Sequence, residues 1–309
     1  MFKLQIGYFI GGFATGLILL FNFLTSLPDG KLHIIFCDVG QGDAAYVRFP
    51  DGRDMLVDGG PNNKVLGCLG KHMPFWDRSL DLVVLSHPQK DHMQGLLAVF
   101  ERYKIGYFVR SDVANTTDGY QKLMELVKTR RIKEKFVTTG EQISVGETAL
   151  TILWPSEDQI AYFKRPPLAA QGEALSNSVL GTSASMSDLN DASVVVWLRY
   201  GSFDAMFPGD ADTRVESGYR GTELADPIVE VLKVPHHGSK TGMTLDYLNW
   251  LKPQLAVISV GSNNTYGHPT PEILSMLATI GSQVLRTDQM GDIEIVSDGN
   301  GWRVVSTKP

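Results

Sequence analysis

Apolar positions along the chain alternate in some segments and run continuously in others. LHIIFCDV (32–39) and AAYVRF (44–49) are joined by the turn GQGD, and DMLVD (54–58) follows the turn PDGR. All three are short, rich in β-branched or aromatic residues, and predict an opening three-strand meander. DLVVLS (81–86) is apolar throughout and bounded by charge and proline, the pattern of a strand covered on both faces. Helical spacing follows over 93–104, then a strand, IGYFVR, and an amphipathic helix over 119–135 that ends in the basic run KTRRIKEK (128–135). Short strands are expected at 142–145 and 149–154. Residues 155–190, dominated by Pro, Ser, Ala and Gly, show no period and read as a long loop or site cover. Patterning resumes with SVVVWLRY, FDAMFPGD, IVEVLKVP, a helix over 243–251, LAVISV, a helix over 271–280, and the closing strands VLRT, DIEIVS and WRVVS. Strands followed by helices, twice over, predict an α/β (α+β) domain of two sheets with helices on their outer faces.

The first residues follow a different rule. From Leu4 to Leu27 there is no charge, a stretch of 24 residues and enough to cross a ~30 Å hydrocarbon core at ~1.5 Å per residue. Residues 1–30 are therefore expected to be an N-terminal transmembrane helix. A cleaved secretory signal and a buried helix are the alternatives. With Lys3 and the N-terminus before the span, residues 31–309, expected to form a second domain, are expected outside the cytoplasm.

Composition narrows the partners. With 28 Lys plus Arg against 34 Asp plus Glu the net charge is −6, which argues against a protein that coats nucleic acid through basic surface. The 43% apolar content supports a folded body. Cys37 and Cys68 are too few for a cysteine-based zinc site. Cys37, in an apolar run, is most simply a buried thiol, and one disulfide is the other possibility.

Five of the seven histidines stand at strand ends or in Gly-flanked turns: His87 and His92 in SHPQKDHMQG, His236 and His237 in VPHHGS, and His268 in YGHP. His33 and His72 are assigned no role. His87, Asp91 and His92 follow one buried strand, Asp210 ends a second in FPGDAD, and His236 and His237 end a third. Imidazoles and carboxylates gathered at one edge of a sheet suit a divalent cation.

The segments FCDVGQGDAAYV, MLVDGG, LVVLSHPQKDHMQGL, NDASVVVWL, FPGDAD, VLKVPHHGSKTG, AVISVGSNNTYGHPTPEIL and VLRTDQMGDIEIVSDG run in the order seen in the metallo-β-lactamase superfamily. Over residues 31–305 the chain resembles the extracytoplasmic hydrolase domain of DNA-uptake channel proteins of natural competence and their stand-alone relatives. The resemblance implies a four-layer αββα sandwich holding one or two divalent ions, zinc or manganese. It implies metal ligation by His87, Asp91, His92, Asp210 and one of His236 and His237, with His237 favoured. Asp58 would orient the metal loop, Asp38 and Asp43 would line the cleft, and Asn190 and Ser193 would replace a third histidine. Tyr266 and His268 would face the substrate, with Asp91, His236 and His268 the catalytic residues. Gln89 departs from the pattern, standing where the superfamily commonly has His or Asp, and a neutral amide is a weak ligand.

The implied activity is metal-dependent phosphodiester hydrolysis, with DNA the substrate. Lys233, Lys240 and Arg286 are candidate backbone contacts, and KTRRIKEK is better read as a solvated face. A separate channel subunit is an expected partner. The alternatives are a hydrolase of choline-type or wall-polymer phosphodiesters, and a catalytically silent module that binds DNA or a polymer.

Overall fold

The computed structural model describes residues 12–21, 23, 27–164, 186–220 and 229–306. The first half supplies strands β1 (Leu32–Phe36), β2 (Ala45–Arg48), β3 (Asp54–Val57), β4 (Ser79–Leu85), β5 (Lys104–Arg110) and β6 (Lys133–Phe136). The first three form the expected antiparallel meander. From β3 to β6 the pairing is parallel, and each crossover carries a helix: α1 (Lys64–His72), α2 (Lys90–Arg102) and α3 (Asp118–Thr129).

The second half gives β7 (Gln142–Val145), β8 (Thr148–Trp154), β9 (Val195–Tyr200), β10 (Phe203–Phe207), β11 (Val231–Lys233), β12 (Leu255–Ile258) and β13 (Gln283–Arg286). Its helices are α4 (Glu157–Phe163), α5 (Met186–Asp191), α6 (Glu216–Arg220), α7 (Leu245–Leu251), α8 (Pro271–Thr279) and α9 (Thr287–Met290). β14 (Ile293–Ser297) and β15 (Trp302–Ser306) then return to the first sheet beside β1. The sheets have eight and seven strands, ordered β15-β14-β1-β2-β3-β4-β5-β6 and β13-β12-β11-β10-β9-β8-β7.

Period-two alternation explains why they stack. Leu32, Ile34 and Phe36 of β1 meet Val196, Leu198, Phe203, Ala205 and Phe207 of β9 and β10 in the central core. Ile35 and Cys37 point the other way, into a second cluster with Leu69, Leu96 and Leu123 of α1 to α3. On the far side Val195, Trp197 and Met206 pack against Leu248, Leu251, Ile273 and Leu277 of α7 and α8. The result is the expected αββα layering.

Several expectations change. The helix over 119–135 ends at Thr129, Arg131 takes a left-handed turn (φ 54°), and KEKF forms the edge strand β6. Its charged, mostly exposed residues blunt an edge that would otherwise offer unpaired backbone groups. The helix α1 was not legible because two glycines dilute its pattern, yet Val65, Cys68 and Leu69 share its buried face. Cys37 is not a free thiol but is joined to Cys68 in a disulfide, which ties β1 to α1. Of the loop expected over 155–190, helices α4 and α5 occupy parts, and 165–185 lie outside the described residues. The apolar segment 4–27 also lies partly outside them. Residues 12–21 are helical and exposed, including Phe13, Leu17 and Ile18. Among the described residues no helix is long and apolar enough to cross a membrane.

Leu198 sits fully buried midway along β9. Leu198→Ala is expected to cost about 2–5 kcal/mol of stability, read as a lowered midpoint in urea denaturation; a loss below 1 kcal/mol would show that the two sheets do not form one packed core there.

Candidate metal centre

The C-terminal ends of β3, β4, β10 and β11 meet at one rim of the sandwich. Asp58 follows β3 in a left-handed conformation (φ 60°) and leads into Gly59 and Gly60. Against this turn lies the first part of α2: Gly59 N–H donates to the His92 carbonyl at 2.6 Å, and Gly95 N–H to the Gly60 carbonyl at 2.9 Å. A Cβ on Gly95 would stand 2.0 Å from the Gly59 oxygen, so the last glycine of HPQKDHMQG is a packing requirement. The GQGD loop closes on the same helix, and Asp43 N–H donates to the Asp91 carbonyl at 3.2 Å.

Asp58 organises the imidazoles. It accepts from Ser86 N–H at 2.8 Å and from the Ser86 hydroxyl at 2.7 Å, and its Oδ2 lies 2.9 Å from His92 Nδ1. With Nδ1 so engaged, His92 Nε2 faces the centre. His237 is held likewise, its Nδ1 lying 3.0 Å from the Ser259 carbonyl. His92 Nε2 is then 3.2 Å from Asp210 Oδ2 and 4.0 Å from Asp91 Oδ2, and His237 Nε2 is 3.4 and 3.5 Å from the same two oxygens.

Both imidazole nitrogens are buried and make no hydrogen bond, although carboxylate oxygens stand beside them. Two nitrogens and two carboxylates facing one point are a donor set that a divalent cation completes, so the residues fit the group. Ligand atoms of Asp43, His92, Asp210 and His237 also lie within 4.8 Å of one another. Asp43, however, is paired with the Lys233 ammonium and sits on the Nδ1 side of His92 and His237, so Asp91 is the better fourth donor.

Lys233 corrects an expectation. Sequence placed it among DNA contacts, but it is buried, donates to the Gly209 carbonyl at 2.9 Å and lies 3.4 Å from Asp210 Oδ1. Val231 and Lys233 share one face of β11, and Val231 belongs to the core between the sheets, so Lys233 points there too.

Charge compensation is dense. Burial disfavours ionised Asp210, but His237, His92 and Lys233 outweigh it and hold this carboxyl well below its usual range. Burial also opposes charge on His92 and His237. Asp210, with Asp58 beside His92 and Asp43 beside His237, outweighs it and raises both imidazoles well above their usual value. His87, buried against the His92 ring at 4.1 Å, is pushed down to about 3 by burial and by His92. Its Nε2 is a further buried nitrogen without a hydrogen bond.

The remaining expected residues divide. Gln89 Nε2 donates to Asn190 Oδ1 at 2.6 Å, and Asn190 Nδ2 lies 3.5 Å from His236 Nε2, so the two amides join the centre through His236. Ser193 Oγ accepts the Asp210 N–H at 3.2 Å and fixes its backbone. His236 and His237 both adopt left-handed backbone (φ 48° and 54°), which swings successive side chains towards Asp210; strand alternation would have parted them. His236 Nε2 is 4.0 Å from Asp210 Oδ2 and the side chain is a quarter exposed. It leads to His268 (ring centroids 5.8 Å) and the exposed Tyr266, stacked on His268 at 5.8 Å. Asp38 is spent on its own loop, accepting the Gly40 N–H at 3.3 Å. Lys240 is exposed, and Arg286 is paired with Asp288 at 2.6 Å. Sequence reasoning missed Ser86, Ser259 and Asn264, whose amide holds the His268 carbonyl at 2.9 Å. Only the position of Ser86 directly before His87 offered a signal.

Because Asp210, with Asp58 beside His92 and Asp43 beside His237, favours the protonated form of both imidazoles, cation uptake is expected to compete with protons there. Affinity for zinc or manganese is expected to rise with pH from the ordinary histidine range upward, with proton release seen by calorimetry in buffers of different ionisation enthalpy; pH-independent binding without proton release would show that these imidazoles are not ligands.

No family model matches the sequence. The chain is 25% identical to ComE operon protein 3 of Bacillus subtilis (strain 168), over 91% of its own length and 34% of that protein. It is 25% identical to the competence protein ComA of Neisseria gonorrhoeae (87% and 33%) and to recombination protein 2 of Haemophilus influenzae (90% and 30%). It thus spans about a third of the length of these curated relatives. Among solved structures, Tm1679, a metal-dependent hydrolase of the β-lactamase superfamily, aligns with a TM-score of 0.52 at 12% identity, covering 89% of this chain and 99% of that one. The metallo-β-lactamase fold protein YhfI from Bacillus subtilis gives 0.51 at 12% identity, covering 85% and 99%. The chain therefore has the metallo-β-lactamase fold and resembles, over most of its length, one region of the competence proteins.

Proposed function

We propose that the protein is a metal-dependent phosphodiesterase acting on DNA, with Asp91, His92, Asp210 and His237 as the principal metal ligands. The observation that carries this reading is the convergence of two buried Nε2 atoms and two carboxylates on one point. A divalent ion held by this set would lower the pKa of a bound water toward neutrality and offset phosphate charge.

The chain's own residues supply the rest. Burial holds His268 below its ordinary pKa, with His236 adding to the effect, and burial likewise lowers His236, which favours the neutral form of both. A phosphodiester arriving beside them raises their proton affinity, which couples protonation of the departing oxygen to substrate binding. Tyr266 offers an exposed ring on which a base can stack. The choice of DNA rests on the competence relatives, and the same chemistry serves wall-polymer phosphodiesters.

A second reading, a silent binding module, is favoured by the Gln89–Asn190 amide pair, because weak amide ligands stand beside His236 where the resemblance implies further metal ligands. Zinc or manganese bound by the purified protein supports the enzyme, and none supports the module. Asp210→Ala is expected to abolish cleavage of labelled DNA and to remove metal, whereas His268→Ala lowers kcat about 10²–10⁴-fold with metal retained. Full cleavage by Asp210→Ala, or cleavage of wall-polymer phosphodiesters with DNA untouched, overturns the proposal.

The exposed apolar side chains of residues 12–21 support a membrane anchor through residues 4–27, and the Cys37–Cys68 disulfide supports an extracytoplasmic domain. The full chain is expected to float with lipid vesicles while a chain starting at Pro28 stays in the aqueous fraction and folds. Unfolding of the shortened chain would instead make the apolar segment part of the core. A separate channel subunit belongs to the same proposal, and co-purification from membranes tests it.

A further inference from the structure

Away from the rim, the disulfide has an unusual setting. Cys68 and His72 stand four residues apart on α1 and so share one face of the helix. Opposite them, Phe36 pairs with Ile293, which puts the next residues outward on the two strands, Cys37 and Asp292, side by side at the strand ends. The Cys68 sulfur, a His72 nitrogen and an Asp292 oxygen all lie within 4.8 Å of one another, and the Cys37 sulfur is bonded to that of Cys68. His72 Nε2 is 3.2 Å from Asp292 Oδ2.

We propose that Cys37, Cys68, His72 and Asp292 form a second metal site, of zinc type, which opens when the disulfide is reduced. A dithiol reductant supplies the two electrons and two protons that convert the disulfide to two thiols and is itself oxidised to a disulfide. On binding a zinc ion the two thiols release their protons to solvent, giving two thiolates, one imidazole and one carboxylate, a four-donor set of the kind zinc takes in structural sites. Three anionic donors around a dication leave one negative charge. Lys71, whose Nζ lies 3.1 Å from Asp292 Oδ2, stands ready to balance it. Access comes from a cavity of about 290 Å³, lined by Lys71, His72, Met73 and Tyr46, that borders His72. Either the covalent bond or the ion then clamps β1 to α1. Asp292 Oδ1 meanwhile accepts the Asp38 N–H at 2.9 Å, at the start of the loop that carries Asp43. The clamp is thus joined to the edge of the main centre in both redox states.

The test uses the full chain, oxidised or reduced with excess dithiol and freed of reductant under argon, then titrated with cobalt(II). Cobalt bound by thiolate gives a near-ultraviolet charge-transfer band that a site of His and Asp cannot give, so the rim centre does not interfere. The reduced protein is expected to take one equivalent more than the oxidised protein, with this band, and zinc should displace it. His72→Ala and Asp292→Ala should each weaken that binding about tenfold or more. Two titratable thiols without an added equivalent or band would overturn the proposal, as would unchanged affinity in both variants. Should reduction alone unfold the chain, added zinc must restore the circular dichroism of the oxidised protein, and failure to do so also overturns it.

Discussion

Four carboxylates, Asp43, Asp58, Asp91 and Asp210, gather at one end of the seam between two sheets, and three of them are almost wholly removed from water. An isolated buried carboxylate is costly enough that it takes up a proton or finds a cation. Here the compensation is built in: Lys233 serves Asp43 and Asp210 from between the sheets, and His92 and His237 serve Asp210, Asp58 and Asp43 from the rim. Lys233 and the two imidazoles, whose protonated forms these carboxylates favour, offset most of that negative charge. That is the condition under which a dication can replace protons and be held firmly.

The backbone is shaped to keep those charges together. Gly95 lets α2 sit on the Asp58 turn, and two successive left-handed residues bring His236 and His237 to the same oxygen of Asp210. Left-handed conformation in a residue with a side chain costs of order 1–3 kcal/mol, and it persists where the surroundings over-determine it. The Gly209 carbonyl, which accepts from both Lys233 and the His236 N–H, is one such determinant.

Much of this was legible in the sequence, because the strands that matter are largely apolar runs followed at once by His or Asp. DLVVLS, FDAMFPGD and IVEVLKVP fixed which side chains would share a rim, and the resemblance supplied the layer order. What was not legible had physical causes. Lys233 looks like a surface cation until the face of Val231 is known. Helix α1 hides behind Gly67 and Gly70, and with it the partner of Cys37. The end of α3 depends on the left-handed Arg131, which no period records. The left-handed turn at His236 breaks strand alternation, so both histidines approach Asp210 where the resemblance implied one ligand.

In the proposed function one cation is held by Asp91, His92, Asp210 and His237. Anomalous diffraction from crystals grown with manganese or zinc, collected at the absorption edge of the metal, tests it most directly. A peak is expected about 2.0–2.2 Å from the Nε2 atoms of His92 and His237 and from oxygens of Asp91 and Asp210. Absence of a peak there in crystals whose protein contains the metal would contradict it.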